Sequence, residues 1–82
     1  MPRPIAILAE DEPLIRLETA LMLDELGFDV LEAHCASAAL AHLEAAGGAA
    51  LLYTDVNMPG QLDGFDLAHS VAQRWPDIAI IV

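Results

Sequence analysis

Glu10 and Asp11 follow directly on the apolar run Ile5-Ala6-Ile7-Leu8-Ala9, and Asp55 follows Leu51-Leu52-Tyr53-Thr54. A short apolar run that ends in carboxylate is how a buried parallel strand delivers charge to the carboxyl edge of a sheet. Open α/β sheets bind their ligands at that edge. Three carboxylates converging there repel one another unless something positive joins them. A hard, oxygen-liganding divalent cation such as Mg²⁺ answers that need.

The other residues able to do chemistry read more plainly. His34, His42 and His69 share no metal-ligand spacing and are assigned to solvent-facing or structural roles. Cys35 is the single cysteine, so it forms no internal disulfide, and it reads as a small loop residue. Asp63 is expected to cap a helix, Gly64 to meet a backbone need, and Trp75 to pack at a helix end. Glu12 and Asp29 read as solvated turn acids.

The elements that must position the carboxylates alternate strand and helix. Ile5–Ala9 is the first strand, and Pro13–Leu26 is a helix with Gly27 just past its end. Ile15, Thr19, Met22, Leu23 and Leu26 recur at helical spacing as its expected core face. Phe28–Ala33 is a second strand, at a sheet edge because Asp29 and Glu32 wet it. A helix that begins at Ser37 or a neighbour and runs to about Ala46 turns Ala39, Leu40 and Leu43 inward. Ala50–Thr54 is a central third strand, and residues 55–64 form a loop. A third helix spans Phe65–Trp75, with Phe65, Leu67, Ala68 and Val71 inward, and Ile78–Val82 is a fourth strand. This alternation implies right-handed crossovers and a parallel sheet with helices on both faces.

Composition narrows the function classes. The 82 residues are 56% apolar and carry a net charge of −10, with thirteen acids, three arginines and no lysine. Nothing in such a chain neutralises phosphates, so direct contact with nucleic acid or an anionic membrane is not expected. No stretch spans a bilayer, no charged-then-apolar leader opens the chain, and the lone cysteine suits a reducing compartment; the expected location is cytoplasmic.

Three segments together resemble a known family: Ala9-Glu10-Asp11-Glu12-Pro13-Leu14-Ile15-Arg16, then Thr54-Asp55-Val56-Asn57-Met58-Pro59-Gly60, then Asp63-Gly64. They look like the receiver domain of bacterial response regulators in two-component signalling, and the resemblance runs the length of the chain. It implies the flavodoxin-like (CheY-like) α/β fold, here as strands one to four and helices one to three. It makes Asp55 the phosphoacceptor, Asp11 a direct Mg²⁺ ligand, and Glu10 a second acid acting through water. Asn57 would supply a backbone carbonyl to the metal. A sensor histidine kinase or histidine phosphotransferase is the implied partner. The protein is then no turnover enzyme, but a signalling module that at most catalyses its own phosphorylation and dephosphorylation.

Some features depart from the family pattern. The loop Gly60-Gln61-Leu62-Asp63 is one residue longer than the commonest form. Complete members continue past the fourth strand with a switch Ser or Thr and a fifth strand ending in Lys. Residues 1–82 therefore read as a receiver truncated after its fourth strand, its exposed edge Ile78-Ala79-Ile80-Ile81-Val82 a site for pairing. Leu14, Leu17 and Leu21 form a second apolar stripe on the first helix. Kinase contact, homodimer contact and broader burial all remain open for it, and the fourth strand is the other expected dimer surface. Two rival functions differ in chemistry. A dehalogenase-type phosphatase needs a general acid two residues after its nucleophile, where Asn57 stands. An acidic module that binds a cation without being phosphorylated is the alternative reading.

Overall fold

Four short strands carry the structure, known as a computed structural model that describes residues 2–82. They are β1 (Ile5–Ala9), β2 (Asp29–Ala33), β3 (Leu51–Thr54) and β4 (Ala79–Ile81). All pair in parallel, in the order β2-β1-β3-β4. β1 and β3 are the central pair, with Ala6 opposite Leu51 and Ala9 opposite Thr54. Their apolar character follows from burial on both faces. β2 is an edge strand as its two acids indicate, and β4 is the other edge.

The three helices are α1 (Pro13–Glu25), α2 (Ala36–Ala46) and α3 (Gly64–Arg74). Strand alternation divides the core in two. Ile7, Ala9 and Leu52 pack with Ala39 and Leu43 of α2 and Leu67 and Val71 of α3. On the opposite face Ala6, Leu8 and Leu51 pack with Leu23 of α1, and Ala20, Phe28 and Tyr53 flank them. Helices thus cover both faces. Gly47 closes α2 with φ +75°, and Gly27 follows α1 with φ +101°, both in the left-handed region that glycine adopts without a Cβ clash.

Several expected details fall differently. Of the five-residue core face on α1, only Leu23 is buried, whereas Ile15, Met22 and Leu26 are 50%, 43% and 68% exposed. α1 lies against β1 and β2, and Ile15 with Thr19 turns toward Tyr53 and Val82, where the two line an open groove rather than a packed core. The outward leucines Leu14, Leu17 and Leu21 are exposed as well, which removes the broader-burial reading of that stripe. Phe65 is 62% exposed rather than inward. Buried Gly64, Leu67 and Val71 define the inner face of α3, and Phe65 is rotated about 100° from Gly64 by the helical repeat of about 3.6 residues. Glu12 is the N-cap of α1 rather than a solvated acid, its carboxylate accepting from the N–H groups of Leu14 and Ile15. Helix α2 begins at Ala36, within the expected start at Ser37 or a neighbour, and Cys35 stands at its N-cap position.

Candidate functional site

The parallel register brings the ends of β1 and β3 side by side, so the residues that follow them meet at the carboxyl edge. The Asp55 N–H donates to the Ala9 carbonyl at 3.0 Å, and the Glu10 N–H donates to Ala33 at 3.0 Å. These bonds continue the sheet ladder by one residue on either side. Glu10, Asp11 and Asp55 consequently offer carboxylate oxygens that lie within 4.8 Å of one another. Among the described residues theirs is the group of acidic, histidine or cysteine side chains that comes together in this way. Asn57 follows in the exposed start of the β3–α3 loop.

The three acids occupy different environments. Glu10 is only 8% exposed, and its Oε2 accepts the Glu12 N–H at 3.2 Å. Burial pushes its carboxyl above the ordinary glutamate value, and the neighbouring Asp55 and Asp11 charges push the same way. The hydrogen bond from Glu12 opposes them. Asp11 and Asp55 are exposed. Oδ1 of Asp55 accepts the N–H of Val56 at 2.8 Å, and its carbonyl accepts the Thr54 hydroxyl at 2.9 Å.

Gly64 fixes the backbone here more tightly than spacing could reveal. Its N–H donates to the Val56 carbonyl at 2.8 Å. A Cβ on Gly64 would approach the Asp55 carbonyl carbon to 2.8 Å and the Val56 Cα to 2.9 Å, besides meeting the Asp55 carbonyl oxygen. The first turn of α3 therefore rests directly on the Asp55 peptide. Asp63 caps that turn as expected, within a reciprocal capping box with Asp66.

A groove of ≈ 200 Å³ opens from the cluster, bounded by Glu10, Asp55, Thr54, Ile15, Thr19 and Tyr53. A cavity of ≈ 250 Å³ beside the longer loop, at Pro59–Leu62 and Ala36–Ser37, contains none of the three carboxylates. His42 bonds the Glu32 carbonyl at 2.9 Å and His69 contacts Gln73 at 3.3 Å, both structural. Cys35 contacts the Ser37 hydroxyl at 3.3 Å, and that contact holds its thiol below the ordinary value. Trp75 packs on Gly48 at the amino edge of the sheet, under the Arg74 guanidinium at 4.4 Å. Gly48 precedes β3 and Asp55 follows it, so the two lie at opposite edges of the sheet. Arg16, to which no role fell from the sequence, donates from Nη1 to the Glu10 carbonyl at 3.1 Å.

This fold and edge define a class, a parallel α/β module with helices on both faces and an acidic cluster at the sheet's carboxyl edge. The response regulator receiver domain family matches residues 6–82, and the chain belongs to it. Among solved structures, the chain is 28% identical to the response regulator protein TrrA from Thermotoga maritima, in complex with Mg(2+)-BeF, with a TM-score of 0.86. The match covers 96% of this chain and 67% of that one. A sensor protein from Polaromonas sp. JS666 is 36% identical, with a TM-score of 0.82, covering 96% of this chain and 63% of that one. The receiver domain of the hybrid histidine kinase CckA is 32% identical, with a TM-score of 0.82 and coverage of 93% and 70%. The chain spans 61–67% of the length of the first such structures. No helix among the described residues is long and apolar enough to cross a membrane.

Proposed function

We propose that this receiver domain is phosphorylated on Asp55, with Mg²⁺ bound beside it. The phosphoryl group would come from the phosphohistidine of a sensor histidine kinase or histidine phosphotransferase, in the cytoplasm. The observation that carries this reading is the gathering of Glu10, Asp11 and Asp55 within 4.8 Å at the carboxyl edge. Three anionic oxygen donors, one of them raised in pKa by burial and by the other two, suit a hard divalent cation. Asp11 and Asp55 would ligate the metal directly, with the Asn57 carbonyl, and Glu10 would act through water. When bound, Mg²⁺ supplies charge neutralisation for the phosphoryl oxygens.

The chain's own residues account for the rest. Oδ1 of Asp55 is engaged by the Val56 N–H, which orients the carboxylate and leaves Oδ2 as the attacking oxygen. Attack forms the O–P bond of an acyl phosphate as the P–N bond to the donor imidazole breaks, and that nitrogen keeps the electron pair. Phosphoryl transfer asks mainly for positioning and electrostatic stabilisation. A fixed Asp55 backbone, pinned by Gly64 and Ala9, provides the first. Turnover on other substrates is not part of the proposal, since Asn57 cannot protonate a leaving group.

Incubation with a small acyl-phosphate donor and Mg²⁺, followed by intact-mass measurement, tests this reading. One phosphoryl group is expected on the wild type, and none on Asp55→Asn or in excess chelator. Calorimetric Mg²⁺ binding without phosphoryl uptake would instead support the alternative, a cation-binding interaction module. Trp75 is a poor optical reporter for either experiment because it sits at the opposite edge.

A further inference from the structure

Arg16 links three elements at the carboxylate cluster. Its Nη1 donates to the Glu10 carbonyl at 3.1 Å, and its Nε lies 3.4 Å from the Glu32 carboxylate on β2. Its side chain is 23% exposed, and its own N–H donates to the Glu12 carbonyl at 2.9 Å. The other two arginines are engaged elsewhere, Arg3 with Asp24 and Arg74 with Glu44. Arg16 is thus the arginine of the cluster's neighbourhood. It touches the cluster through a backbone carbonyl, and its charge is answered by Glu32.

We infer that Arg16 is a positioning residue for the metal-binding loop, and the inference rests on the Mg²⁺ reading above. Residues Glu10, Asp11 and Glu12 connect β1 to α1. The carbonyl of Glu10 and the N–H of Asp11 belong to one rigid peptide plane. Holding that carbonyl fixes the plane, and with it the direction in which Asp11 presents its exposed carboxylate. Glu32 is the anchor: it lies in register with Leu8 on the adjacent strand, so the guanidinium is tied to the sheet at one end and to the loop at the other. A planar guanidinium makes both contacts at once through different nitrogens, which a point-like ammonium does not.

Charge and positioning predict opposite signs, which makes the idea testable. Removing an arginine makes the protein more negative, so electrostatics alone would tighten Mg²⁺ binding. Positioning predicts weaker binding, by about tenfold if Arg16 behaves like other groups that orient metal ligands. Calorimetric Mg²⁺ titrations of the wild type, Arg16→Gln, Arg16→Lys and Arg74→Gln separate them, with chelator-treated melts run in parallel. Arg16→Gln should bind more weakly while its metal-free melt stays close to wild type. Arg74→Gln should bind as tightly as wild type or tighter. Arg16→Lys, with net charge unchanged, should fall between wild type and Arg16→Gln. Wild-type or tighter affinity in Arg16→Gln would overturn the inference. So would wild-type affinity in Arg16→Lys, an outcome that stands whether or not the glutamine variant folds. A wild type that takes up no Mg²⁺ removes the metal reading itself, and is told apart because its failure precedes any variant.

Discussion

Glu10 is the carboxylate that folding strips of most of its water, and the neighbouring acids make that more costly. Its carboxyl is raised by burial first, then by the charges of Asp55 and Asp11. A carboxyl with a higher pKa folded than unfolded binds more protons in the folded state, so ionising it costs stability. That cost is fully present above the folded pKa and is gone below the unfolded one. With metal chelated, lowering the pH from neutrality through the raised range should therefore raise the melting temperature, until general protonation of paired carboxylates reverses the trend. Glu10→Gln should melt higher than wild type at neutral pH in chelator and show a flatter pH profile. A wild-type melt that falls steadily from neutrality on acidification would contradict this assignment. Mg²⁺ bound as proposed would answer the same repulsion at neutral pH, so the glutamine variant should gain less from the metal.

At the scale of elements, α3 is the part that couples the fold to Asp55. Its first turn lies on the Asp55 peptide through Gly64, and the Asp63–Asp66 capping box secures that turn. Asp63→Ala should cost about 1 kcal/mol in urea unfolding, the usual worth of a cap, and should slow phosphoryl uptake by letting the turn fray. Asp63→Asn should restore most of both. Equal uptake by Asp63→Ala and wild type would show that the turn does not steady Asp55. The strands and the three carboxylates were legible in the sequence because central parallel strands read as apolar runs with charge at their ends. The cap at Asp63 was legible because its residue type is common there. The buried side of α1 was not: Ile15, Met22 and Leu26 form as good a helical stripe as Leu23 does, and only the helix's seat over β1 and β2 decides between them. Nor was the cap at Glu12, a residue type that seldom caps, or the contact of Arg16 with Glu10, which depends on how far α1 leans toward β2.

Across the whole molecule, charge is the dominant stress. Each of the three arginines pairs with one carboxylate, in Arg3–Asp24, Arg16–Glu32 and Arg74–Glu44, which leaves ten of the thirteen acids without an arginine. The exposed pairs Arg3–Asp24 and Arg74–Glu44 contribute about 0–1 kcal/mol each, too little to offset the self-repulsion of a chain at −10. Two separable effects follow. Sodium chloride should raise the chelator-treated melting temperature by screening the whole surface, since a Debye length of about 10 Å at 0.1 M shortens to about 3 Å at 1 M. Magnesium chloride at matched ionic strength should raise it further, because a cation bound only by the folded cluster stabilises by mass action. Asp11→Asn should keep the sodium response and lose the magnesium excess. If the excess survives in that variant, magnesium is acting on the diffuse acidic surface. If wild type shows no excess, the three carboxylates gathered at the sheet edge do not bind the metal with useful affinity.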